Sequence, residues 1–342
     1  MSSKAFITGI AGTTLTADER AFLREERPWG LILFKRNIAA KDQVSDLVEE
    51  FRAAVGRMDA PVLIDQEGGR VQRLQPPLWP AYPAGAVFGR LFRKDSAKGL
   101  RAASLAARLI AADLDELGID VDCLPLADVP VPGADNVIGD RAYGTSVEPV
   151  VAIARAVADG LGEGGVLPVL KHIPGHGRAP VDSHHLLPVV DTARAELERT
   201  DFAAFRKLAD LPMAMTAHVI FSTLDSARPA TTSATMIAEV IRRYIGFDGL
   251  LMSDDVSMKA LRGSLAERSR AAIDAGCDVV LYCQGLFAEM REVAGSVPPL
   301  SAAALRRATA AVASRRTPSA FDRGAARNEL ERLVAMVDEG TS

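Results

Sequence analysis

Eight short apolar runs alternate with longer helix-patterned stretches along this chain, and that alternation leaves few folds open. The runs are residues 5–10, 30–34, 61–65, 121–126, 167–172, 213–220, 250–254 and 278–282. Helical patterning fills residues 41–55, 96–117, 149–162, 193–208, 233–244, 265–275 and 286–293. Each run is apolar almost throughout, as expected of a strand buried on both faces of a parallel sheet. Eight such strands interleaved with helices predict an α/β fold, a closed (β/α)8 TIM barrel. A doubly wound open sheet is the competing arrangement. It loses support because no G-x-G-x-x-G follows the first strand and no G-x-x-x-x-G-K-[ST] occurs anywhere. On helix 96–117, Asp113, Asp115 and Glu116 are expected on the wet face of an outer-layer helix. Residues 301–338 are rich in Ala, Arg and Glu. They predict extra C-terminal helices, spanning about 300–342, packed against the barrel's outside. The whole chain, 1–342, is expected to form a single domain.

Composition narrows the function classes. A net charge of −4 and a pI near 5.8 give no electrostatic reason to expect nucleic acid as a partner. No apolar run approaches the roughly 20 residues needed to cross a bilayer. The N-terminus lacks a strongly basic segment ahead of its short apolar run, so no signal peptide is read there. Three cysteines (Cys123, Cys277, Cys283), odd in number and set in apolar runs, suggest buried free thiols in a reducing compartment. A cytoplasmic protein without a membrane partner is expected. Nothing demands assembly, so a monomer is expected too.

The chemistry concentrates where such barrels keep it, at the C-terminal ends of strands. Four of the five histidines fall in residues 171–185, KHIPGHGRAPVDSHH. Glycines and prolines make most of this segment a loop, and imidazoles gathered in a loop suit proton transfer or metal binding. The fifth strand ends in Lys171 and His172. A lysine closing an apolar run must meet an anion or a carboxylate. Within the loop, Asp182 stands two residues before His184. A carboxylate there can fix the imidazole tautomer and raise the basicity of its far nitrogen, although it also suits an Asx turn. The third strand leads into DQEGGRVQR, which places Asp65, Glu67, Arg70 and Arg73 at the rim; turn formation is the plainer reading. Asp140 and Arg141 follow the fourth strand and could be a surface ion pair. His218, in MAMTAHVIF, could be a satisfied core histidine. Of the adjacent Asp254 and Asp255 in LLMSDDVSM, only one can face the barrel mouth while the strand continues. The other should cap the next segment or pair nearby.

Taken together, IDQEGGRVQRL, KHIPGHG, the DSH eleven residues after the lysine, AHVIF and LMSDDVSM resemble the family 3 glycoside hydrolases. The likeness points to their bacterial cytoplasmic β-N-acetylglucosaminidase branch, which acts in peptidoglycan recycling. The motifs run from Asp65 to about Met258. The resemblance implies a single (β/α)8 catalytic domain with Asp254 as nucleophile and His184, oriented by Asp182, as general acid/base. It implies that Asp65, Arg73, Arg141, Lys171 and His172 hold the first sugar, while Glu67, Arg70 and Asp255 support the site. The substrate it implies is a small carbohydrate, a GlcNAc-containing muropeptide fragment, with no cofactor and no metal. The chain departs from the family pattern at Ile173 and Leu74, where Phe is usual, and in CLPLADV, where FAPVLDV is commoner. An Asp–His pair in place of a second carboxyl accounts for the histidine-dense loop, and glycine and proline flanks suggest that the loop moves His184 in and out. Three other readings compete: a metal-dependent hydrolase on the same barrel, a non-catalytic sugar-binding barrel, and transfer to phosphate instead of water.

Overall fold

The structure, a computed structural model, describes residues 3–338. The eight barrel strands are β1 (Lys4–Thr8), β2 (Pro28–Leu33), β3 (Val62–Ile64), β4 (Val121–Asp122), β5 (Leu167–Ile173), β6 (Met213–Thr216), β7 (Leu250–Asp255) and β8 (Val279–Tyr282). Each pairs with the next in parallel, and β8 returns to β1, so the sheet closes. All eight predicted runs therefore supply a strand. The fourth is cut short: Pro125 has no N–H to donate, and the Leu124 amide turns back to the Asp122 carbonyl at 2.8 Å.

Alternation along the strands divides the apolar side chains into two bodies. Ile7, Ile32, Leu63, Val121, Val169, Met213, Met252 and Leu281 point inward and fill the barrel. Their neighbours Phe6, Leu31, Leu33, Val62, Ile64, Leu170 and Leu251 point outward and are covered by the helices. Helices Lys41–Val55 and Leu265–Ala275 occur as the periodicity predicts. The stretch 193–208 splits at Thr200, whose hydroxyl lies 2.7 Å from the Glu196 carbonyl and whose backbone leaves helical geometry (φ −119°, ψ −91°). A helix that the sequence did not announce, Gly85–Lys94, passes very close to the loop after β4. A Cβ at Gly85 would sit 2.1 Å from the Arg141 carbonyl, and one at Gly89 would sit 2.0 Å from that of Tyr143. Glycine at these two positions permits the close approach.

The C-terminal region departs from expectation in two ways. It forms two helices, Ala302–Ala313 and Arg323–Asp338, with Pro318 in the extended link between them. The first is not on the outer wall. Leu300, Ala304, Ala308 and Ala311 join the inward-facing cluster beside Ala5, Trp29, Leu167 and Leu250, residues at or near the starts of their strands. This helix is the floor of the barrel, and small side chains at a helical spacing let it come close. The second helix packs along Gly85–Lys94 and Ser96–Asp115. It covers part of the face that the sequence assigned to water. Asp113 is buried, accepts the Tyr82 hydroxyl at 2.6 Å and pairs with Arg323, so it is no solvent-facing residue.

Overfilling this floor should cost stability. Ala308→Leu is expected to lose about 1–3 kcal/mol in urea unfolding. Ala310→Leu, on the exposed face of the same helix, should stay within about 0.5 kcal/mol of wild type.

Candidate active site

The ends of β3, β5 and β7 and their following loops surround a cavity of about 380 Å³. Asp65, Arg73, Arg141, Lys171, His172, Asp182, His184 and Asp254 all line it, so the eight residues singled out from the sequence meet in one place. Volume alone would not have chosen it. A hollow of about 500 Å³ at the opposite face is lined by Arg155, Arg307 and Arg315, but these are already tied to Asp210, Asp248 and Asp115.

Lys171 is the centre of the cluster. Only 2% of its surface is exposed, and its Nζ lies 3.0 Å from Asp65 Oδ1 and 2.6 Å from Glu67 Oε1. Arg141 grips Glu67 with both arms of its guanidinium, at 2.9 and 2.8 Å. Arg73 donates to the other Asp65 oxygen at 2.9 Å and lies over the Phe34 ring. Burial opposes every one of these charges, yet their mutual attraction prevails. Lys171 and Arg73 hold Asp65 well below the usual carboxylate range. Arg141 and Lys171 hold Glu67 at about 2, and the two carboxylates keep Lys171 above its ordinary value. Two expectations change here. Arg141 is not paired with Asp140, which instead meets Arg70 at the surface. Glu67 is as central to the cluster as Asp65.

His172 and His176 are organised by Asp128, which the sequence reading did not single out. Asp128 Oδ2 accepts from His172 Nδ1 at 2.7 Å, and Oδ1 accepts the His176 amide at 2.7 Å. Burial works to raise Asp128, but His172 and these hydrogen bonds keep it below the usual range, hence ionised. A carboxylate acceptor fixes the proton on His172 Nδ1 and leaves Nε2 for the cavity. An acid inside the apolar run CLPLADV was the available signal, since a buried carboxylate needs partners. Burial and the neighbouring His172 push His176 down to about 4, so it stays neutral and bonds Ser183 Oγ at 2.9 Å. That contact anchors the loop carrying the next pair.

Asp182 Oδ1 accepts both the amide and Nδ1 of His184, at 2.8 and 2.7 Å. Partial burial works to raise Asp182, but the two His184 hydrogen bonds outweigh it and lower it. The imidazole itself is 59% exposed, with Nε2 free of the pair. Across the cavity, Asp254 Oδ1 takes the Asp255 amide at 2.8 Å. Burial tends to raise Asp254; His218, His172 and that amide together bring it below its ordinary value, so it is a carboxylate at neutral pH. Asp255 also borders the cavity, but its oxygens are already engaged. It accepts the Ser257 amide and hydroxyl and the Cys283 amide at 3.0, 2.6 and 3.2 Å, closing the turn after β7. His218 is a fully satisfied core histidine, bonded to Thr231 and to the Asp255 carbonyl.

Two anionic groups held by cations, a free carboxylate and an imidazole–carboxylate pair opening on one cavity form a set suited to cleaving a polyhydroxylated substrate. Over residues 8–314 the chain matches the glycosyl hydrolase family 3 N-terminal domain. It belongs to the family 3 glycoside hydrolases. A β-hexosaminidase of Alkalilimnicola ehrlichii is 40% identical over 279 residues, covering 80% of this chain and 79% of the relative. The structure of NagZ from Neisseria gonorrhoeae in complex with N-trifluoroacetyl-D-glucosamine aligns with a TM-score of 0.84 at 30% identity, covering 99% of this chain and 98% of that one. A family 3 β-N-acetylglucosaminidase from Paenibacillus aligns at 0.85 with 28% identity, covering 96% of this chain and 66% of that one. The chain is a glycoside hydrolase of the β-hexosaminidase type.

Removing Glu67's charge should expose what the cluster is worth. Glu67→Gln leaves Lys171 and Arg141 short of a buried counter-ion, an expected loss of about 3–5 kcal/mol at pH 7. Because folding lowers the Glu67 value from 4.5 to about 2, its contribution is present above 4.5 and is lost as pH falls towards 2. Urea melts of the two proteins should therefore differ fully at pH 7 and converge towards pH 2.

Proposed function

We propose that this hydrolase is a retaining exo-β-N-acetylglucosaminidase that removes terminal GlcNAc from peptidoglycan turnover fragments such as GlcNAc-anhydroMurNAc-peptides. The observation that carries the reading is the pairing of one ionised carboxylate, Asp254, with an exposed imidazole, His184, on a different element of the same cavity.

In this reading the sugar enters with its anomeric carbon towards Asp254. Protonated His184 gives its Nε2 proton to the glycosidic oxygen while Asp254 attacks carbon 1, forming a glycosyl-aspartate and releasing the aglycone. Neutral His184 then takes a proton from water, which displaces Asp254 and restores the β configuration. Asp182 holds the Nδ1 proton throughout and stabilises the imidazolium. Asp65, held between Lys171 and Arg73, accepts from sugar hydroxyls, while Lys171, Arg141, Arg73 and His172 supply the complementary donors. We read residues 1–342 as one catalytic domain that works as a monomer. Three buried free cysteines suit a reducing cytoplasm. Among the described residues no helix is long and apolar enough to cross a membrane.

Two alternatives are weighed by the residues themselves. Among the described residues, no group of three His, Cys, Asp or Glu side chains could hold a metal ion. His172, His176 and His184 are instead committed to Asp128, Ser183 and Asp182. Phosphate as acceptor has a specific observation in its favour, because a histidine base does not repel an anion as a second carboxylate would.

Turnover of a chromogenic aryl β-N-acetylglucosaminide tests both roles. Asp254→Ala should lose at least about 10³-fold in kcat, and full activity in that variant would end the proposal. His184→Ala should lose about 10²–10⁴-fold on a poor leaving group and much less in the first step on a good one. Running the reaction with and without phosphate, and identifying the product sugar, decides between hydrolysis and phosphorolysis.

A further inference from the structure

Asp254 would have to present one oxygen at a fixed point, yet nothing in the cavity itself fixes its backbone. The fixing comes from behind β6 and β7, where three buried polar side chains link to one another and to the Asp254–Asp255 backbone. Thr216, His218 and Thr231 each have 0% exposure. The Asp254 amide donates to Thr216 Oγ1 at 3.3 Å. Thr216 Oγ1 and Thr231 Oγ1 are 2.8 Å apart, and Thr231 Oγ1 is 2.7 Å from His218 Nδ1. His218 Nε2 lies 3.0 Å from the Asp255 carbonyl.

Counting donors fixes the direction of this chain. A carbonyl only accepts, so His218 Nε2 carries a proton and donates to Asp255. Burial holds His218 below the usual histidine range, so the ring is neutral and Nδ1 must accept. Thr231 therefore gives its single proton to Nδ1, and Thr216 gives its own to Thr231. The hydrogen bonds run head to tail from the N–H of Asp254 to the C=O of Asp255 and close around that dipeptide. Inside the loop, the Asp255 amide holds Asp254 Oδ1, which leaves Oδ2 towards the cavity. A charged His218 would reverse the Nδ1 bond and send the Thr231 proton to the Ala217 carbonyl, 3.1 Å away.

We propose that His218, acting through Thr231 and Thr216, is a positioning residue for Asp254, and that this buried ring aims the carboxylate at the anomeric carbon. The inference rests on the reading of Asp254 as nucleophile. None of the three residues lines the cavity, so the ring acts on the geometry of attack and leaves sugar binding to the Lys171 cluster.

Thr231 is the link to cut, because Val replaces its hydroxyl with a methyl group of nearly the same shape and Ser keeps the hydroxyl. Thr231→Val should lower kcat about 10–100-fold with KM within about twofold, since small misplacements of a reacting group act on the chemical step. Thr231→Ser should restore kcat. Thermal melts accompany both, and if Thr231→Val does not fold, Thr216→Val and Thr216→Ser repeat the comparison one link closer to Asp254. A kcat within twofold of wild type in the folded Val variant overturns the proposal. So does a matched loss in Thr231→Ser, or a change confined to KM. Asp254→Ala is measured alongside. An active Asp254→Ala removes the nucleophile reading and this inference with it, whereas an inactive one with an unaffected Thr231→Val removes the ring alone.

Discussion

The interaction on which the rest of this structure depends is the meeting of Lys171 with Asp65 and Glu67. An ammonium group stripped of water is tolerable only when the surrounding charges replace its hydration. Here they come from a different strand: Lys171 lies near the end of β5, while both carboxylates follow β3. Arg141 from the loop after β4 and Arg73 from the turn beyond β3 complete the arrangement. The cluster ties the ends of three strands into one electrostatic unit. It also leaves a net positive charge of one among those five side chains, next to a cavity that must also hold Asp254.

That division of labour keeps two demands apart. In the proposed reading the substrate holders are rigid and permanently charged, as the buried cluster is. In the proposed reading the proton-transfer group is His184, which sits on an exposed loop and whose ring is tied only to Asp182. The rigid half is set by strands and the adaptable half by a loop, the usual partition of a barrel enzyme.

How far the sequence could be read follows from the same physics. The eight strands were legible because burial on both faces writes an uninterrupted apolar run. The gathering of Asp65, Lys171, Asp182, His184 and Asp254 was legible because each stands at the end of such a run or in the loop beyond it. What escaped was partnership across the chain. Nothing local to Asp128 shows that it reaches two histidines more than forty residues away, and nothing local to Glu67 distinguishes it from a turn residue. Arg141 and Asp140 are neighbours in sequence that take different partners. The C-terminal helices misled for a further reason: an alanine-rich helix has the same pattern whether it lies on a wall or seals a floor. Which of these it does depends on the space left at the strand starts, where Trp29 and Leu250 await a lid.

The Asp182–Ser183–His184 tripeptide has a consequence of its own. Its hydrogen bonds are almost wholly local: Asp182 to His184 within three residues, and Ser183 to His176 seven residues back. It is a cassette, tied to the rest of the barrel through Ser183 and through the Lys259 amide on the His184 carbonyl. A loop of this kind can be lengthened, shortened or exchanged between homologous barrels without disturbing the strands that hold Lys171 and Asp254. In this architecture, selection for a new leaving group can act on a dozen residues while the rest of the catalyst stays as it is.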